Sequence, residues 1–281
     1  MSRLTAYALA LLLSISSAAV PLAADAIYFS TGEPDGKIAT LSRPASLGQA
    51  ETETADDFLL DQASVIQQAT FTGLLPTGTP LGSITSVEVE IYRVFPQDSA
   101  SPPDDRVVTR VNSPSDIEFA DTVLTYTTAL LNPSFTVSNT VVNGINPKPT
   151  QFTGGEGSST GEEVLFSIDF TSLLALDAGH YFFRPEVALS NGNFLWLSAP
   201  RPIVDPGTPF ANDLQSWIRD TGLDPDWERI GTDITHQGTF NAAFSLTGTT
   251  AAVPEPGTCA LLGVGLCLLG IVRRRKRHRD G

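Results

Sequence analysis

Acidic side chains in pairs are the commonest reactive groups of the 281-residue chain: Asp56/Asp57, Asp104/Asp105 and the set Asp224, Asp226 and Glu228. Two carboxyls facing one another across a cleft are the minimum equipment of a glycosidase, so a secreted carbohydrate-active enzyme using loop carboxylates is one reading. Clustered loop carboxylates also suit a hard cation. A structural calcium, with Asp224 and Asp226 as its first ligands, is the one cofactor this suggests, although no D-x-D-x-D-G loop is present. Between the two ends stand only two histidines, His180 and His236, with no His-x-x-x-His, no Cys pair and no G-x-S-x-G. A zinc site or a serine hydrolase therefore has no equipment. His180, ahead of Tyr181-Phe182-Phe183, reads as a strand-end histidine beside the core. The chain is expected not to be an enzyme, and in so acidic a body most carboxylate pairs are expected to be solvated surface.

Aromatic side chains offer a second chemistry, because sugar rings stack their C–H faces on indoles while neighbouring polar groups bond the hydroxyls. Trp217 and Trp227, with Arg219, are the candidates for such a ligand site. Trp196, in Phe194-Leu195-Trp196-Leu197, is expected in the core. Read as a helix, the segment 214–219 puts Leu214, Trp217 and Ile218 on one buried face; read as a strand, the form favoured, it points Trp217 outward with Gln215 and Arg219. A flat ice-binding face is set aside, since it needs ranked threonines on regular repeats and Thr125, Thr127 and Thr128 look scattered.

These residues must be held by strands. Val87, Val89 and Ile91 alternate with Glu88 and Glu90; Val164, Phe166, Ile168 and Phe170 alternate with polar residues, as do Phe240, Ala242, Phe244 and Leu246. Period two marks half-buried strands. Further strands are expected at 27–29, 64–72, 122–127, 134–142, 180–189, 193–198 and 227–230. Strands parted by Gly, Pro, Asn and Asp clusters, without βα alternation, imply an all-β fold: a single antiparallel β-sandwich of jelly-roll or lectin-like type. Residues 96–114 and 143–163 are expected to be mobile surface loops. The second includes Gly154-Gly155-Glu156-Gly157, which is no phosphate cradle, for it has no Lys after the glycines and Glu156 would repel the anion.

The formal charge is −14. Without Met1–Ala24 and Arg273–Gly281, 10 basic and 30 acidic residues remain, a net of −20. Such a field repels nucleic acid and anionic lipid and suits cations or neutral polymers better.

The two ends are different in kind. Arg3, the apolar run Tyr7–Ile15 and the small residues ending in Ala24-Asp25-Ala26 read as a secretory signal peptide over 1–26, cut after Ala24 or Ala26. The ectodomain is assigned to 27–247 and a linker to 248–252. Then come Val253-Pro254-Glu255-Pro256, the apolar run Cys259–Val272, and an Arg-rich terminus from Arg273, Arg274 and Arg275 to Arg279. The two prolines keep the first part extended, a form a processing enzyme can bind. A helix over 257–272 would be about 24 Å long, short against a hydrocarbon core of about 30 Å. Its basic flank would stay cytoplasmic, leaving the domain outside. Cys259 and Cys267, the only cysteines, are apolar fillers of that run.

This order resembles the PEP-CTERM sorting signal of Gram-negative bacteria, over 253–279. The resemblance implies export through the secretion translocon and transient anchoring in the inner membrane. Removal of the tail by an exosortase and passage to the cell surface, the extracellular matrix or a biofilm would follow. It assigns recognition to Val253, Pro254, Glu255 and Pro256, and retention to Arg273, Arg274 and Arg275. With the β-architecture, this gives the expectation of a surface or matrix protein whose ectodomain binds extracellular polysaccharide, the alternatives being the enzyme above or a purely structural matrix component.

Overall fold

A computed structural model describes residues 26–45, 48–95, 112–115, 118–145, 152–200, 215–222 and 227–250. These lie in one compact unit, 25–251. Residues 1–25 of the signal peptide, Asp224 and Asp226, most of the 96–114 loop, and the sorting residues Val253–Pro256 and Arg273–Arg275 lie outside the described residues. Among the described residues no helix is long and apolar enough to cross a membrane.

The fold is all-β, with two sheets. The larger contains β1 (Ala26–Ser30), β2 (Ile38–Leu41), β4 (Ser64–Pro76), β7 (Leu124–Val137), β8 (Asn139–Val141), β9 (Ser159–Leu176), β11 (Leu195–Ala199), β14 (Asn241–Ala242) and β15 (Phe244–Thr250). Its path runs β1-β15-β4-β11-β2-β8; β9 lies against the other side of β4, and β7 lies beyond β9. The smaller sheet, in the order β13-β12-β3-β10-β5-β6, contains β3 (Thr52–Leu60), β5 (Ile84–Arg93), β6 (Ala120–Asp121), β10 (Gly179–Leu189), β12 (Trp217–Asp220) and β13 (Glu228–Arg229). Pairing is antiparallel except between β2 and β8, which run parallel.

One buried cluster draws on both sheets. Phe58, Val87, Val89, Ile91 and Phe183 come from the smaller sheet, and Phe71, Phe166, Trp196 and Phe244 from the larger. Phe183 interlocks the layers, stacking on Phe244 at 5.1 Å and meeting Trp196 edge-on at 6.0 Å. Trp196, expected in the core, is fully buried and donates its Nε1–H to the Ala243 carbonyl at 2.9 Å. Phe194 meets both Phe71 and Phe166 edge-on. It reaches them by lying over Gly73, where any Cβ would run into its ring.

Three expectations need correction. The segment 248–252 is not all linker, because Gly248, Thr249 and Thr250 continue β15, paired to β4, and Ala26 opposes Thr249. Their polar side chains hide a backbone that is hydrogen-bonded on both sides. The loop placed at 143–163 ends early, since β9 starts at Ser159. Its Gly-rich part is pinned: the Glu156 carboxylate accepts N–H bonds from Val142, Asn143 and Gly144, and Asn139 bonds Gly154 and Gly157. Finally, Asp56 and Asp57 are buried in β3 rather than solvated. Asp56 accepts from Ser216 Oγ at 3.0 Å and from the Ala242 N–H at 2.9 Å, joining the sheets; Asp57 meets His180 Nε2 at 2.7 Å.

Candidate functional site

On the smaller sheet, alternate residues turned away from the shared core form a second buried layer. The β12–β3 register puts Trp217 opposite Ala55 and Arg219 opposite Glu53. The β10–β5 register puts Arg184 opposite Glu90 and Phe182 opposite Tyr92. The strand reading of 215–219 holds: Trp217 and Arg219 share this side. Trp227 joins them, edge-on to Tyr92 at 5.9 Å, and the Arg219 guanidinium lies 4.6 Å from its ring centre.

Charge is packed densely here. Arg184 sits 3.1 Å from Glu53 and 2.6 Å from Glu186, and also pairs with Glu90; Arg219 pairs with Glu53. Tyr92 donates to Glu53 or Glu90. Burial works to raise the Glu53 pKa, but the Arg219 and Arg184 charges, with hydrogen bonds from Arg219 and Tyr92, hold it below the usual carboxylate range. Glu186 goes the other way. Burial pushes its carboxyl up to about 9, Glu53, Glu51 and Glu88 reinforce the shift, and Arg184 opposes it. Neither Glu186 oxygen has a hydrogen bond, so the approach of Arg184 is an ion contact without bond geometry. With Glu51 also 3.7 Å from Arg184, four carboxylates surround two guanidiniums, an excess of acid that favours keeping a proton in the cluster.

The layer brings the expected Trp217, Trp227 and Arg219 together, but not as a sugar platform. Trp217 is 1% exposed and Trp227 0%. The reason is that the outer side of this sheet is itself covered, so its aromatics build a second core with Tyr92, Phe182 and Ala55. Trp227 Nε1 is also committed, to the Ser115 carbonyl. The carboxylates of this layer enclose a guanidinium rather than an open cleft.

The open surface is on the larger sheet. Its registers align Thr127, Ser167, Thr70, Ser245 and Ser30 in one row across β7, β9, β4, β15 and β1. The next row contains Thr125, Asp169, Gln68 and Thr247. Thr125 and Thr127 are therefore not scattered; each heads a row. Neighbours bond along the rows, Thr70 to Ser245 at 2.6 Å and Gln68 Nε2 to Asp169 at 2.7 Å. Successive members of a row stand about 4.8 Å apart. Beside the first row lies a shallow open depression lined by Ser30, Glu33, Thr70, Thr72, Leu165 and Ser245. Burial, and then the charge of Glu33, raises the pKa of Glu163 at this end of the sheet. The sequence offered no sign of this surface, since its rows join residues far apart in the chain, Gln68 and Thr247 being 179 positions apart.

No group of three His, Cys, Asp or Glu side chains that could hold a metal occurs among the described residues. Asp224 and Asp226 are outside that set.

Comparison with known families bears on the C-terminus. Residues 252–277 match the PEP-CTERM protein-sorting motif. The chain carries a PEP-CTERM sorting signal at its C-terminus. The PEP-CTERM signal makes it an exported protein, processed by an exosortase and destined for the cell surface. The match covers Val253–Pro256 and Arg273–Arg275, the residues read from the sequence as the signal, and says nothing of the β-domain. No curated protein and no solved structure matches the chain.

Proposed function

We propose that the ectodomain is a non-enzymatic, matrix-associating module of a Gram-negative biofilm. The tail anchors it transiently in the inner membrane, and the domain then holds neutral extracellular polysaccharide on the hydroxyl rows of its larger sheet. The observation that carries this reading is the five-strand row Thr127, Ser167, Thr70, Ser245 and Ser30, exposed at Thr127 and half-buried along the rest, beside a polar depression. A row of five strands spans about 19 Å at the usual strand spacing, so it offers repeated hydroxyls to a repeating polymer. Each such bond is weak on its own, and attachment to a long chain comes from several at once. The carboxylate layer supports the non-enzymatic part, because Glu53, Glu90 and Glu186 are engaged with Arg184.

The test is affinity electrophoresis of the exported protein in gels containing the producer's own exopolysaccharide, against the double variant Thr70→Val, Ser245→Ala. Retardation of the wild type and release of the variant is the expected result. Equal mobility with and without polymer, or retention by ice in place of polymer, overturns the reading. The anchoring step is read separately, by intact mass with and without the exosortase: a terminus near Pro254–Pro256, changed to Gly281 in the exosortase mutant, is expected.

A further inference from the structure

We infer that two copies of this chain pair edge to edge through β7, giving a two-fold dimer with one sheet continuous across both. Among the described residues β7 pairs only with β9, so its other side is an open strand edge. Sheet edges are usually guarded by charges, prolines or bulges because they template pairing with another chain. The 124–130 stretch of β7, Leu-Thr-Tyr-Thr-Thr-Ala-Leu, has none of these. It pairs with β9 without a break, and the irregularities come only after Leu130, around Pro133.

Charge identifies the occupant as a second copy. The ectodomain is strongly acidic, so two copies repel over most of their surfaces. Yet no Asp, Glu, Lys or Arg occurs between Asp121 and Lys148, and β7 falls entirely within that run. It is the strip along which two such bodies can approach without facing like charges. The nearest acid beside this stretch, Asp169 on β9, is already hydrogen-bonded by Gln68. A basic partner would be drawn to the acidic surface elsewhere and gains nothing from a neutral strand.

The stretch is also complementary to itself. A two-fold axis through Thr127 sets Leu124 of one copy opposite Leu130 of the other, Thr125 opposite Ala129, and Tyr126 opposite Thr128. Tyr126, Leu130 and their neighbour Leu131 are 36%, 47% and 48% exposed, and Val123 beside them 66%. Facing pairs of aromatic, β-branched and leucine side chains are the stabilising unit of antiparallel sheets. Tyr126, Thr128 and Leu130 oppose the core residues Ile168, Phe166 and Val164 of β9, so pairing extends an apolar stripe already begun. Isologous pairing also closes, using up the β7 edge of both copies so that this edge cannot propagate a fibre. This inference does not depend on polysaccharide binding.

The test is sedimentation of the exported protein up to about 100 µM, a range that detects even weak pairs. Wild type should show a monomer–dimer equilibrium. Residue 127 meets itself on the axis, so Thr127→Lys and Thr127→Glu should each weaken the dimer by roughly tenfold or more through like-charge apposition. An equal mixture of the two should restore it as a heterodimer. Thr77→Lys, an exposed change off this edge, should leave the dimer intact. A wild type monomeric throughout overturns the inference, as do open-ended polymers, a dimer indifferent to Thr127→Lys, or a mixture that fails to recover.

Discussion

Replacing Glu186 with Gln should flatten the dependence of stability on pH. In the folded domain burial raises this carboxyl to about 9, with Glu53, Glu51 and Glu88 adding to the shift. Arg184 faces it from its own strand and Arg43 is coupled to it from the loop after β2. In the unfolded chain it titrates near 4.3, as ordinary Glu does. The folded state therefore binds the extra proton throughout the interval between, and stability must fall as pH rises across it. At its steepest the contribution is about 1.4 kcal/mol per pH unit, so about 3 kcal/mol separates pH 5 from pH 7 through this one group. Gln is neutral at every pH and approximates the protonated acid. Urea unfolding of the exported protein at unit steps from pH 5 to 9 should show wild type losing stability relative to Glu186→Gln, with the gap narrowing toward pH 5 and closing below the unfolded carboxyl's own range. Parallel pH profiles for the two proteins would refute the reasoning, and so would a wild type that gains on the variant as pH rises.

Arg184→Met should cost about 3–5 kcal/mol, read as a fall in the urea midpoint, because it strands the buried carboxylates that the guanidinium now pairs. Gly73→Ala should cost at least about 1–3 kcal/mol by overpacking, since the new methyl falls on the Phe194 ring; a thermal melt measures it. Glu156→Ala removes the acceptor of three N–H groups at 142–144, and amide exchange there should accelerate by about tenfold or more, with global stability nearly kept. Glu53 is shifted oppositely to Glu186: its pKa is held low, so its share of stability is present above the ordinary carboxylate range and is lost as pH falls through its depressed value. Glu53→Gln should therefore lose most stability at neutral pH and least in acid, in the same urea series.

The parts of the fold legible in the sequence were strands whose two sides differ in polarity. β5, β9 and β15 alternate because one side meets the shared core and the other meets water or polar groups. β3 gave no such signal. Thr-Glu-Thr-Ala-Asp-Asp-Phe-Leu-Leu looks like exposed chain, but Glu53, Asp56 and Asp57 are buried by partners on β10, β12 and β14 that only the fold supplies. The same holds for the ligand candidates. That Trp217 and Arg219 share a side could be read from strand periodicity; that a second layer covers that side could not, since it depends on Tyr92, Phe182 and Trp227 arriving from three other places. The hydroxyl rows were illegible for a related reason: register, not local sequence, puts Ser30 beside Ser245 and Thr70 beside Ser167. The sorting signal was legible as a motif, because a Pro-Glu-Pro stretch, an apolar run and a basic end are linear chemistry that needs no fold to be read.

β15 ends at Thr250, gripped by β4 on one side and β1 on the other. Tension entering the domain from the chain beyond that residue runs along the strand axis. It therefore meets two ladders of hydrogen bonds in shear, which must fail nearly together, rather than one bond at a time as in peeling. β1 opens at Ala26, the last residue of the segment read as a cleaved leader, so half of this grip forms only from residues that survive maturation. A cut that removed Ala26 would take away the residue opposite Thr249. The position of the N-terminal cut thus bears on how much pull the domain withstands at its other end.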